Sequence, residues 1–83
     1  MVPSDVKALF GRRVRQLRSA RGWSQEAFAS QVGLDRSYMG GVERGERNIS
    51  LENICLIAAA LDVAPAELFL GWESVIDAAD SPS

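Results

Sequence analysis

Eighty-three residues, 47% apolar and 24% charged, make one small globular domain (1–83) and exclude a disordered chain. A single cysteine, Cys55, and no histidine exclude an internal disulfide and a structural zinc site and remove the commonest general base, so no catalytic residue, metal or cofactor is expected. The net charge of −2 hides a division: residues 1–47 carry nine basic and five acidic side chains, +4, and residues 48–83 carry six acidic and no basic ones, −6, which suits one face to a polyanion and another to something else.

Ser4 is placed to cap a first helix over about 5–21, with Val6, Leu9, Phe10, Val14 and Leu17 at helical spacing and Gly22 at its end. Ser24 caps a short second helix, 25–32, whose apolar face is Ala27, Phe28, Ala29 and Val32 and which Gly33 stops. Asp35 caps a third, 36–43, with Met39 and Val42 inward, Arg36, Ser37, Gly40 and Gly41 pointing elsewhere, and Gly45 at its end. Residues 44–50 form a polar loop. Ser50 caps a fourth helix, 51–61, with Leu51, Ile54, Ala58 and Leu61 inward, Ile57 flanking, and Cys55 a small core residue. Pro65 fits the first turn of a fifth helix, which either runs from 65 to about 79 or breaks at Gly71 and restarts, and residues 80–83 form a frayed tail. The chain therefore reads as all-α, a core over about 5–70 with no strand-like alternation.

Two short helices joined by a glycine turn define a helix-turn-helix. Gln25, Ala29, Gly33, Met39 and Val42 supply, in order, a polar start, a small residue under the crossing helix, a turn glycine and two core anchors. Arg-Gly-Trp-Ser-Gln-Glu-Ala-Phe-Ala (21–29) and Gly-Leu-Asp-Arg-Ser-Tyr-Met-Gly-Gly-Val-Glu-Arg-Gly (33–45) resemble the Xre family of phage-repressor-like regulators over residues 9–70. Leu-Asp-Arg-Ser-Tyr with Glu-Arg-Gly-Glu-Arg-Asn-Ile-Ser is similar, within it, to the controller proteins of restriction–modification systems.

The resemblance implies a five-helix phage-repressor-like domain whose third helix enters the major groove of double-stranded DNA. Arg36 is then the expected base reader, since a guanidinium can hold O6 and N7 of guanine together; the plainer alternative is a phosphate contact. Ser37, Tyr38 and Gly41 complete the expected base-contact set, with Tyr38 equally suited to packing and Gly41 offering close backbone approach and readout of DNA shape. Ser24 and Gln25, at a helix N-terminus, and Arg44, Arg47 and Asn48, in the following loop, are the expected phosphate contacts. The family pattern also pairs Arg18 with Glu43 as a structural ion pair. Arg12, Arg13, Arg15 and Arg21 are assigned mostly to ordinary surface.

One such unit reads too few base pairs to select a site, because each mismatch costs only ~1–3 kcal/mol. A homodimer on a palindromic operator is therefore expected, with Leu68, Phe69, Trp72, Val75 and Ile76 as its interface; the alternative is that Trp72 and Ile76 fold back onto the first helix. The expected function is a cytoplasmic, sequence-specific, autoregulatory transcriptional regulator of controller or repressor type, without a membrane partner or small-molecule ligand. An antitoxin of a toxin–antitoxin pair, or a helical interaction module without DNA binding, are the alternatives.

Overall fold

A computed structural model describes residues 5–72. Within them the chain forms four α-helices, α1 (Val6–Ala20), α2 (Gln25–Val32), α3 (Arg36–Glu43) and α4 (Leu51–Leu61), followed by a 3-10 turn, Pro65–Phe69. Each of the last three α-helices starts where a side chain satisfies free backbone donors: Ser24 Oγ accepts from the Ala27 amide, Asp35 from Ser37 and Tyr38, and Ser50 from Asn53. At α1 the capping position is Asp5, without a side-chain cap bond; Ser4 lies outside the described residues.

The expected fifth helix is corrected to the five-residue turn Pro65–Phe69. Leu70 is extended (φ −85°, ψ 153°) and Gly71 is left-handed (φ 86°), a conformation that ends a right-handed helix. The break at Gly71 is therefore the alternative the chain adopts. The stretch beyond Trp72, with Val75, Ile76 and the tail 80–83, lies outside the described residues.

Phe28, Met39, Ile57, Leu61, Leu68, Val14 and Val42 form the fully buried centre, and Ala29, 2% exposed, lets α2 lie close within it. On α4 the inward face is Ile54, Ile57, Ala58 and Leu61. Leu51, expected inward, is 81% exposed, because it sits in the first turn beyond the edge of the core, and Cys55, expected in the core, is exposed one turn later on the same side.

α1 crosses α3 at a glycine. A Cβ on Gly11 would stand 2.3 Å from the Val42 carbonyl oxygen and 2.7 Å from that of Glu43. A Cβ on Gly45 would likewise meet the Ala8 backbone at 2.7 Å. These two contacts seat the C-terminal end of α3 directly on the α1 backbone. Gly11→Ala sets a helix-propensity gain of ~1 kcal/mol against overpacking of ~1–3 kcal/mol or more. The obstacle is backbone, which cannot rotate away, so the clash wins. We expect a thermal melt lowered by ~5–15 °C; a variant as stable as the parent would show that α1 and α3 can separate freely.

Candidate nucleic-acid interface

The two helices of the motif meet at Gly33, whose φ of 84° lets Gly33 and Leu34 donate back to the Ser30 and Ala29 carbonyls before Asp35 opens α3. Met39 and Val42 hold α3 by its inner face. Arg36 and Ser37, at its N-terminal end, are exposed. Arg36 Nε lies 3.9 Å from Glu26 Oε2, with both side chains largely in solvent, an ion pair of ~0–1 kcal/mol that a stronger anion can displace.

One turn further along the same face stand Gly40 and Gly41. Both lie off the inward face, as expected, yet both are buried. Their cover comes from side chains of the loop and of α2. Arg44 Nη1 and Gln25 Oε1 lie 3.0 and 3.2 Å from where a Gly40 Cβ would be, and Arg47 Cγ and Nε lie 3.0 Å from that of Gly41. A base edge therefore reaches Gly41 only if Arg47 moves. Since residues four apart share a helix face, the outer side of α3 presents Arg36 and Ser37 and then two arginines laid over glycines. Tyr38 is half-buried against the core and accepts a hydrogen bond from Asn53 Nδ2 at 3.1 Å.

In the loop, Arg44 donates to Glu46 from Nε at 3.0 Å and from Nη2 at 3.2 Å. That hydrogen bond, reinforced by the Arg44 charge, holds the Glu46 carboxyl below its ordinary range, and the Arg44 guanidinium is raised in turn. Arg44, an expected phosphate contact, thus has a competing acid in its own loop. Asn48 is exposed and Ser24 is occupied as the α2 cap.

Arg18 and Glu43 form a two-pronged pair: Nε donates to Oε2 at 2.7 Å and Nη2 to Oε1 at 2.9 Å. Arg18 Nη1 also donates to the Trp23 carbonyl at 2.8 Å, and Gln25 Nε2 donates to Glu43 Oε1 at 3.1 Å. The Gln25 side chain is therefore committed within the protein. A phosphate at the start of α2 would meet its backbone amides instead.

Two arginines assigned to the surface prove to be tethers. Arg21 donates to the Leu61 carbonyl at the end of α4 at 2.8 Å and lies over the Trp23 ring at 4.9 Å. Arg13 donates to the Glu67 carbonyl at 2.8 Å and stands 3.5 Å from its carboxylate. Neither partner is near in sequence, so spacing gave no signal for them.

Of the expected dimer residues, Leu68 is corrected: it is fully buried in its own subunit and unavailable to a partner. Phe69 is 40% exposed and packs on Phe10 and Trp72, with ring centres 5.6 and 5.4 Å apart, and Trp72 is half-buried against the core. Leu70, which sequence reasoning did not name, is also exposed. Val75 and Ile76 lie outside the described residues. Among the described residues no helix is long and apolar enough to cross a membrane.

Comparison with known proteins adds to this geometry. The family model of the helix-turn-helix domain matches residues 9–69. The control protein C.MunI of a Mycoplasma species is 43% identical over 67 residues, 80% of this chain and 90% of its own length. The crystal structure of the restriction–modification controller protein C.AhdI from Aeromonas hydrophila superposes with a TM-score of 0.76 at 59% identity, over 77% of this chain and 97% of that one. The biofilm master regulator SinR, solved in complex with DNA, superposes with a TM-score of 0.69 at 31% identity, over 72% of this chain and 97% of its own.

Proposed function

The chain belongs to the helix-turn-helix family of transcriptional regulators, which are not enzymes, and from that premise we propose that it acts as a homodimer on a palindromic operator, as an autoregulatory controller or repressor. The observation that carries this reading is the outer face of α3. Arg36 and Ser37 stand free of the core at its N-terminal end, and Arg44 and Arg47 extend the same cationic strip one turn on.

In this reading Arg36 holds O6 and N7 of a guanine, and Ser37 lies close enough to donate to a base or its phosphate. Tyr38 and Gly41 line the strip behind them. The α2 start at Ser24 and Gln25, with Arg44, Arg47 and Asn48, sets the register through phosphates. The likeness to controller proteins, and to a regulator solved on DNA, supports the assignment. Two copies are required because one α3 covers too few base pairs. Phe69, Leu70 and Trp72 offer the described part of a shared apolar surface.

Selection of bound duplexes from a random pool tests the proposal. We expect an enriched two-fold-symmetric site whose half-site centres lie about one helical turn, ~34 Å, apart. An enriched single half-site would remove the dimer from the reading, and a pool that never converges would remove sequence-specific recognition altogether.

A further inference from the structure

Arg47 is exposed, yet its side chain is constrained on two sides. Its Cγ and Nε lie against α3 where a Gly41 Cβ would stand only 3.0 Å away. Its guanidinium carbon is 5.6 Å from the centre of the Tyr38 ring. That ring is itself anchored from another helix, since Asn53 Nδ2 on α4 donates to Tyr38 Oη at 3.1 Å. A glycine inside an eight-residue helix is unfavourable compared with alanine, and Gly41 has no left-handed backbone to justify it. What it provides is space, and the space is filled by Arg47.

We propose that Gly41 and Asn53 are positioning residues for Arg47: Gly41 gives the side chain a seat on α3, and Asn53, through Tyr38, fixes the ring on which the guanidinium rests. The inference rests on the reading that α3 faces DNA. Arginine has many rotamers, and freezing them on binding weakens the complex. A seated arginine has lost much of that freedom beforehand and meets the duplex in one orientation. Neither residue needs to touch DNA to affect affinity. Gly41 was expected to admit a base edge; here its part is played from underneath an arginine.

Double-mutant cycles with Arg47→Ala test this, measured on the selected duplex and on a random duplex of equal length. Gly41→Ala and Asn53→Ala are each expected to weaken binding to the selected duplex by about 3- to 10-fold. Both losses should vanish when Arg47 is already alanine. Gly41→Ala should also melt at the parental temperature or above it, because alanine favours the helix. Weaker binding from an equally or more stable protein is an outcome that a merely structural role does not produce. Should Asn53→Ala fail to fold, the Gly41 cycle decides alone. A Gly41→Ala loss that persists without Arg47 would mean that its methyl group meets the duplex directly, and would overturn the seat. A persistent Asn53→Ala loss would make Asn53 a DNA contact in its own right, and no loss from either variant would also overturn the proposal. Absence of wild-type binding to any duplex would remove the parent reading as well, whereas wild-type binding with additive cycles removes only this inference.

Discussion

Glu43→Ala is expected to destabilise the domain by about 3–5 kcal/mol, lowering its thermal midpoint by ~15–30 °C. The carboxylate is 3% exposed and Arg18 12% exposed, so removing one leaves the other charge desolvated and without its partner. The loss extends beyond the pair. Glu43 also receives the Gln25 amide, and Arg18 also holds the Trp23 carbonyl, so one carboxylate ties the ends of α1 and α3 to the start of α2. For a domain whose total stability is ~5–15 kcal/mol, that is a large share. The double variant Arg18→Met, Glu43→Leu should melt well above Glu43→Ala, because a shape-filling apolar pair avoids the stranded charge. If Glu43→Ala melts within a few degrees of the parent, solvent must already screen the pair.

Arg36→Ala is expected to leave the melt unchanged and to cost ~1–3 kcal/mol of affinity for the selected duplex, roughly 5- to 150-fold. Its side chain is 69% exposed and its one described partner, Glu26, is 3.9 Å away in solvent, so the fold does not depend on it. Preference should relax at one base position in each half-site, while affinity for random DNA falls much less. Binding titrations on both duplexes, at several salt concentrations, separate the possibilities. Equal losses on the two would reduce Arg36 to a phosphate contact.

The three helices α2, α3 and α4 were legible because their limits are written locally. Ser24, Asp35 and Ser50 can satisfy backbone donors only at a helix start, and Gly33 suits a left-handed stop. The start of α3, with Arg36 and Ser37 outward, follows from Met39 and Val42 facing in. Gly11 was not legible: a helical glycine looks only like a weak point until a neighbouring backbone is seen 2.3 Å from its missing Cβ. Arg13 and Arg21 end on carbonyls 54 and 40 positions away, a pairing that periodicity does not encode. Apolar spacing also over-extended two faces. It placed Leu51 inward although the core ends before it, and it continued a helix through Leu70 although the backbone there is extended. Gly40 and Gly41 were assigned to the correct side of α3, but their cover comes from arginines whose rotamers depend on tertiary contacts.

Because α3 is gripped by Met39, Val42 and Glu43 and by the glycine crossing behind it, positions 36 and 37 carry almost none of the folding energy. Changes there should shift stability by no more than about 0.5 kcal/mol. On the proposed reading, in which Arg36 and Ser37 meet the bases, such a layout would let the preferred target drift, or be deliberately rewritten, at two codons while the scaffold beneath stays fixed.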